Sequence, residues 1–275
     1  MKIVMLIFLS FGNLVLSQNH RFIYEVESKK DSTENTVTKE FYHLDIFSDD
    51  IKYYGRAYYE ADSLIKNNIG FSANSSPTLT DIIVRKADNE YDQYEWLQYD
   101  VLKTSQKVSQ KWILTDEKKT FQDHLVQKAE TNWGGRKWTA WFSPEIPFQY
   151  GPYKFHGLPG LIMEISDSQN NYVFKLVKSG KLSETQKKIS FDHIFKIGVP
   201  VNREKYIKAK LTYFNDPLSF VKNGDIELMD GNWALLQDGT KLTKDNFREV
   251  RQRQQKNIRK YNNPLELDKI VNYPK

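Results

Sequence analysis

Apolar and polar residues alternate along the first part of the chain in the manner of β-strands. In residues 20–28, Phe22, Tyr24 and Val26 fall on one face, and mostly polar residues fall on the other. A period of two is typical of a half-buried strand, and the same pattern continues over residues 39–59. The stretches 94–102 and 110–117 are predicted as further strands, whereas the turn-rich residues 66–81 are predicted as a surface loop.

Two hairpins follow from the same alternation. Residues 124–142 form strand patterns on either side of Gly134-Gly135, a pair that suits a tight hairpin turn. Residues 161–177 contain a second pair, in which Leu161, Met163 and Ile165 share one face. The polar residues 167–171 separate its two strands, and the apolar face is expected to be buried.

The hydrophobic period changes in the last third of the chain. Asn202 is placed to cap a helix that would end at residues 215–217, and Thr243 is placed to cap another over about residues 244–261. The pattern therefore predicts a mainly β (α+β) fold: a curved antiparallel sheet or half-barrel with helices toward the C-terminus. No repeat or long linker divides the chain, so residues 18–275 are expected to form a single domain.

Residues 1–17 have the pattern of a secretory signal peptide. Lys2 precedes an apolar run too short to span a bilayer, and Val15 and Ser17 are small enough for the cleavage positions. We therefore expect an exported protein, in the periplasm or outside the cell, with no transmembrane segment in the mature chain. The sequence contains no cysteine, which excludes disulfides and a lipoprotein anchor.

The charge is concentrated in one element. The whole chain carries a net charge of +5. Most of the positive charge lies in the predicted final helix, which contains Lys244, Arg248, Arg251, Arg253, Lys256, Arg259 and Lys260. This helix has few apolar residues, so we expect it to face solvent and to contribute little to the fold. The rest of the chain is nearly neutral, which argues against a nucleic-acid-binding protein.

The residues between 150 and 167 are rich in glycine and proline. Leu158-Pro159-Gly160-Leu161 has proline and glycine at the two central positions of a type II turn. Proline fixes its own φ, and glycine accepts the positive φ that such a turn requires. The spacing matches no nucleotide-binding loop, so no cofactor is predicted. We interpret Gly157, Leu158, Pro159, Gly160, Leu161 and Ile162 as a structural motif that delivers the chain into the Leu161 strand.

The same residues carry a family resemblance. The GLPGLI motif at 157–162, preceded by GPYKF at 151–155 and AWFSPEIP at 140–147, resembles the GLPGLI (Porph_ging-type) family of secreted Gram-negative envelope proteins. The resemblance implies an exported, mainly β protein, often encoded near outer-membrane receptors. It implies no reaction. Members often place a cysteine just before the QKA element, where this chain has Leu125 and Val126, so it implies no thiol chemistry here.

Few polar residues have the spacing of a catalytic or metal site. The five histidines form no close ligand pair, so no metal is predicted. The acidic residues between Asp88 and Glu95 lack the spacing of a calcium loop and are interpreted as a solvated strand edge. Glu145 lies between two prolines and is a candidate general acid or base, although a turn cap or an ion pair is the commoner role of such a residue. No residue is predicted to be catalytic on this basis.

Aromatic residues are dense around the motif. They indicate either a packed core or an apolar groove, and the candidate groove residues are Trp138, Trp141, Tyr150, Tyr153, Phe155 and Leu158. The first functional hypothesis is a periplasmic binding or accessory protein that offers this groove to a lipid, a peptide or an outer-membrane partner. One alternative is an envelope hydrolase that uses Glu145 or one of the histidines. Another is a structural partner of an outer-membrane receptor, contacted through the basic helix.

Overall fold

A computed structural model describes residues 19–47, 50–60, 81–98, 100–183, 191–222, 233–236 and 239–275. The predicted signal peptide (1–17) and nearly all of the predicted loop at 66–81 lie outside these residues. Among the described residues, no helix combines the length and the apolar character needed to cross a membrane.

One large β-sheet dominates the fold. Its strands are β1 (His20–Ser28), β2 (Thr38–Ile46), β3 (Ile51–Gly55), β4 (Ile82–Arg85), β5 (Glu90–Leu97), β6 (Asp100–Lys107), β7 (Ile113–Phe121), β8 (His124–Trp133), β9 (Arg136–Ser143), β10 (Leu161–Asp167), β11 (Tyr172–Lys181) and β12 (Gly198–Pro200). Their order across the sheet is β12-β6-β5-β4-β3-β2-β1-β11-β10-β9-β8-β7. All pairs are antiparallel except β12 with β6. The sheet is mostly antiparallel, as predicted, and it is not closed into a barrel.

Apart from the helical residues 56–60, the few α-helices lie in the C-terminal part of the described chain. They are α1 (Asp192–Ile197), α2 (Arg203–Asn215), α3 (Ser219–Lys222) and α4 (Phe247–Lys260), and the short strands β13 (Ala234–Leu235) and β14 (Lys241–Leu242) pair beside them. The predicted cap of α2 is confirmed, because the Asn202 side chain accepts a hydrogen bond of 2.9 Å from the Lys205 amide.

Both predicted hairpins are present. Strands β8 and β9 turn at Gly134-Gly135, whose φ angles of 60° and 75° suit a tight hairpin turn, and β10 pairs with β11. The prediction of one strand over residues 94–102 is wrong, because the chain turns there between β5 and β6. Gln98 adopts a φ of 57° at this turn, and only glycine, asparagine and aspartate signal such a conformation strongly in a sequence.

The two faces of the sheet bury different clusters. Phe22, Tyr24 and Val26 contribute to the larger core, which also contains Tyr153, Phe155 and Leu158 from the loop between β9 and β10. On the opposite face, α1 and Phe191 cover a smaller cluster with Tyr54 and Tyr94. Strand alternation thus divides neighbouring residues between two cores.

The GLPGLI turn differs from the predicted type II turn. The Gly160 amide donates to the Leu158 carbonyl oxygen at 2.8 Å, which closes a three-residue turn around Pro159. The Leu161 amide, which a type II turn would direct to Leu158, instead donates to the Ile146 carbonyl oxygen at 3.1 Å. The Ile146 carbonyl oxygen, earlier in the same loop, therefore accepts the hydrogen bond that would have defined the predicted type II turn.

The basic helix α4 is more deeply involved in the fold than its composition indicates. It begins at Phe247 rather than near residue 244, and Val250 packs in a small core with Leu218 and Leu242. Arg251 donates to the Asn215 carbonyl oxygen at 2.5 Å, and Arg253 donates to the Thr240 hydroxyl at 2.7 Å. The expectation that this helix only faces solvent is wrong, because several of its cationic groups bond to neighbouring segments.

Candidate ligand-binding cleft

A cleft of about 450 Å³ lies on the face of the sheet that carries the larger core. Strands β2, β3, β5 and β11, helices α2 and α4, and the C-terminal residues 261–273 form its walls. Its lining is rich in tyrosine and includes Tyr42, Tyr53, Tyr153, Tyr172, Tyr206, Tyr213, Tyr261 and Tyr273. We call this cavity the tyrosine cleft.

The GPYKF segment supplies part of the base of the tyrosine cleft. Tyr153 lines the cavity with a φ of 57°, a left-handed conformation that is uncommon for a residue other than glycine. The next residue, Lys154, is fully buried. Its Nζ lies 2.7 Å from Glu266 Oε1 and 2.6 Å from Gln93 Oε1. A buried ammonium group needs such partners, because burial without them is strongly unfavourable.

Glu266 is the hub of this polar network. The Tyr153 hydroxyl and the Lys269 Nζ also donate to Glu266 Oε1, at 2.7 and 2.9 Å, and Gln106 Nε2 donates to Oε2 at 3.1 Å. Burial alone would raise the pKa of Glu266, but the charges of Lys154 and Lys269 outweigh it and lower the pKa to about 2. Burial lowers the pKa of Lys154, against the opposing effect of Glu266. The network is thus built around an ionised carboxylate.

Gln93 links this network to a second carboxyl group in the tyrosine cleft. While its side-chain oxygen accepts from Lys154, its Nε2 donates to Asp81 Oδ2 at 2.8 Å. The lysine therefore fixes the orientation of the Gln93 amide, and this orientation presents a donor to Asp81. Burial and the negative charge of Glu95 raise the pKa of Asp81 to about 7. Two of the carboxyl groups that line the cleft, Asp81 and Glu266, thus have pKa values that their surroundings shift in opposite directions.

Glu95 is held by helix α2 rather than exposed at a strand edge. It forms an ion pair with Lys210 and accepts a hydrogen bond of 2.8 Å from the Tyr206 hydroxyl. Asp92, on the opposite face of β5, is also buried and lies 2.9 Å from the Lys103 Nζ. The interpretation of these acidic residues as a solvated edge is therefore wrong for both. Residues three apart along a strand point to opposite faces of the sheet, and on each face the carboxylate forms an ion pair with a lysine.

The C-terminal wall of the tyrosine cleft is fastened by Arg136. This buried side chain donates to the carbonyl oxygens of Leu265 and Pro264, at 2.9 and 2.7 Å, and to Asn263 Oδ1 at 2.7 Å. The Leu267 amide also donates to the Gly134 carbonyl oxygen at 2.6 Å. The β8–β9 hairpin thus positions the segment that carries Glu266.

The candidate groove residues occupy different surroundings. Trp138, Phe155 and Leu158 are buried in the larger core, while Trp141 and Tyr150 are partly buried and pack against it. Tyr153 is the candidate that lines the tyrosine cleft. Tyr153 therefore lines a cavity, whereas Trp138, Phe155 and Leu158 are packed inside the larger core.

The candidate acid or base Glu145 lies on the exposed surface, where its carboxylate is 3.1 Å from His124 Nδ1. His156 is buried, and its Nδ1 lies 3.1 Å from the Tyr91 hydroxyl and 3.0 Å from the Lys154 carbonyl oxygen. Burial lowers the pKa of His156, which favours the neutral ring. Over the described part of the chain, no group of three or more His, Asp or Glu residues could hold a metal ion.

Sequence reasoning missed Lys154, Gln93, Asp81 and Glu266. Lys154 had a usable signal, since it is the charged residue within the GPYKF motif. Its partner Glu266 lies 112 residues further along the chain, and no local pattern connects them. Asp81 and Gln93 were ordinary polar residues of predicted loop and strand regions.

Comparisons with known proteins match the part of the chain that contains the motif to a family model, but they assign no activity. Two of the similar solved structures are crystal forms of PNGF-II, each 15% identical to this chain and covering 70% of it, with TM-scores of 0.49 and 0.48. The chain covers 33% and 32% of those two structures, about a third of their length. No curated protein matches it.

Residues 86–164 match the Porph_ging family, described as proteins of unknown function. Because this match includes the GPYKF motif and GLPGLI, the predicted resemblance is confirmed: residues 86–164 are similar to the Porph_ging (GLPGLI-type) family.

Proposed function

We propose that this protein is an exported binding or accessory protein of the cell envelope, and that the tyrosine cleft holds its ligand. The observation that carries the proposal is a cavity of about 450 Å³ that combines aromatic rings with convergent polar groups. Small-molecule sites typically have volumes of roughly 300–1,000 Å³ and a few placed hydrogen-bonding groups. In this proposal the sheet curves around the cleft, and the GPYKF and GLPGLI segments form its rigid support.

The lining favours a polar ligand over a lipid chain. Asp81, Glu95 and Gln93 face the cavity together with the hydroxyl-bearing tyrosine rings. An acyl chain would remove these groups from water without giving them hydrogen bonds, which is unfavourable. A short saccharide has apolar faces that pack on aromatic rings and hydroxyls that bond to carboxylates and amides. We therefore propose a saccharide as the ligand class.

Tyr261 offers a test, because it lies at the cleft and is 49% exposed. Glycan-array screening followed by calorimetric titration should identify a bound oligosaccharide, and Tyr261→Ala should weaken its binding about tenfold through loss of the ring contact. Trp233→Ala removes another exposed aromatic residue, outside the cleft, and should leave the Kd unchanged. Absence of glycan binding, or equal effects of the two variants, would contradict the proposal.

A hydrolase is the second candidate, carried by Asp81 rather than by Glu145. A carboxyl group that keeps its proton near neutral pH can act as a general acid. In this scheme the Asp81 carboxyl donates its proton to the leaving atom as the bond of the ligand breaks. Water then adds to the other fragment, and its proton returns to the Asp81 carboxylate. Gln93 would position Asp81 through the 2.8 Å hydrogen bond.

We expect turnover of a bound oligosaccharide to fall as the pH rises through about 7, since the protonated form of Asp81 is required. Asp81→Asn should abolish turnover and keep the affinity within a few-fold. Reducing-end assays over a pH series would measure the first effect, and calorimetry the second. Tight binding without any turnover by the wild-type protein would exclude the hydrolase and leave the binding function standing.

A further inference from the structure

A second cavity, of about 1010 Å³, lies on the face of the sheet opposite the tyrosine cleft. Arg21 and Ile23 line it, and they alternate along β1 with Phe22 and Tyr24, which point into the larger core. Parts of β2 and β11 and the helical residues 56–60 complete its walls. We call this cavity the basic groove.

The lining of the basic groove carries an excess of positive charge. Arg21 is neutralised by Asp45, to which its Nε and Nη2 donate at 2.6 and 2.7 Å, and Arg56 pairs with Glu60 at 2.7 Å. Lys178 and Lys181 also line the groove, and within the described part of the chain neither has a carboxylate partner. The two lysines therefore leave a net attraction for an anionic group.

An apolar surface lies beside these lysines. Phe41 and Val177 are 38% and 42% exposed, and Ile23 packs between their strands. Val177 sits at a bulge, because Tyr24 pairs with Leu176 and Ile23 with Lys178. Such a bulge changes the direction in which the side chain of the extra residue points. The groove therefore presents apolar side chains next to cationic ones.

His43 adds an unsatisfied polar group to the same lining. It is only 3% exposed, and its buried Nδ1 has no hydrogen-bond partner among the described residues. Burial lowers the pKa of His43 to about 4, so the ring is neutral and can either donate or accept at that nitrogen. Leaving a buried nitrogen unpaired is costly.

We infer that the basic groove binds a monomeric amphiphile with a carboxylate head and a linear apolar chain. The carboxylate lies at Lys178 and Lys181, and the chain packs on Phe41, Ile23 and Val177. The volume is ample for a fatty-acid-sized molecule. This site is separate from the tyrosine cleft and does not depend on the function proposed for it.

Calorimetric titration of the full chain with decanoate tests the proposal. Decanoate should bind, and both decanol, which lacks the charge, and butyrate, which lacks the chain, should bind at least tenfold more weakly. Lys178→Glu should raise the Kd for decanoate at least tenfold. Lys118→Glu makes the same charge change on the exposed edge strand β7 and should leave it unchanged.

Phe41→Ser removes the apolar contact independently and should also weaken decanoate binding, with unchanged circular dichroism as the check on folding. The proposal would be overturned if decanol bound as well as decanoate, or if a folded Lys178→Glu variant bound decanoate normally. It would also be overturned if Tyr261→Ala abolished decanoate binding, because the ligand would then occupy the tyrosine cleft. Binding to anionic vesicles without binding to monomeric decanoate would likewise exclude it.

Discussion

Gly160→Ala is expected to lower the free energy of unfolding by about 3 kcal/mol, because there is no room for a methyl group. A Cβ at this position would overlap the Ser143 carbonyl oxygen and lie 2.6 Å from its carbon and 2.9 Å from Pro144 Cα. These are backbone atoms at the end of β9, so they cannot rotate away as a side chain could. Urea unfolding followed by tryptophan fluorescence would measure the loss.

Gly157→Ala is the matched control within the same motif. Gly157 has a φ of 91°, but a Cβ there would meet no atom within 4 Å. Alanine should therefore cost only the conformational strain, about 1–2 kcal/mol. If the two variants were equally stable, close packing against Ser143 would not be the reason for glycine at position 160. If Gly160→Ala unfolded like wild type and lost only ligand binding, the motif would be a binding loop.

The sequence was informative where structure depends on neighbouring residues. The Gly134-Gly135 hairpin and the Asn202 cap follow from local backbone preferences, and both are present. The GLPGLI turn was predicted in place but not in type, since the deciding acceptor, the Ile146 carbonyl oxygen, comes from a different part of the loop. A local pattern could not show that competition.

The tyrosine cleft was largely beyond such reasoning because its parts meet only after folding. In the sequence, Trp138 and Tyr153 are both aromatic residues near the motif. In the structure, Trp138 is buried in the larger core, whereas Tyr153 lines the cavity. The C-terminal wall depends on Arg136, which reaches residues 263–265 across the chain. Tertiary contacts at this sequence separation leave no periodic signal.

Glu266→Gln is expected to destabilise the protein by about 3–5 kcal/mol at neutral pH, because it leaves the Lys154 ammonium buried without a counter-charge. The substitution keeps the shape of the side chain, so lost packing contributes little. Glu117→Gln is the control: that carboxylate also bonds a lysine, Lys128, at 2.7 Å, but it is exposed, and its loss should leave stability nearly unchanged. Equal effects of the two changes would show that the buried pair is not important for stability.

The pH dependence of the Glu266→Gln effect separates the ion pair from a simple loss of shape. Since the pKa of Glu266 is lowered from 4.5 to about 2, its ionised form stabilises the fold fully above about pH 5. That contribution is lost as the pH falls toward 2, where the wild-type side chain becomes neutral like glutamine. The difference in unfolding free energy between wild type and variant should therefore shrink steadily from pH 5 to pH 2 in parallel urea titrations. A difference that stayed constant over this range would mean that hydrogen-bond geometry, rather than charge, makes Glu266 necessary.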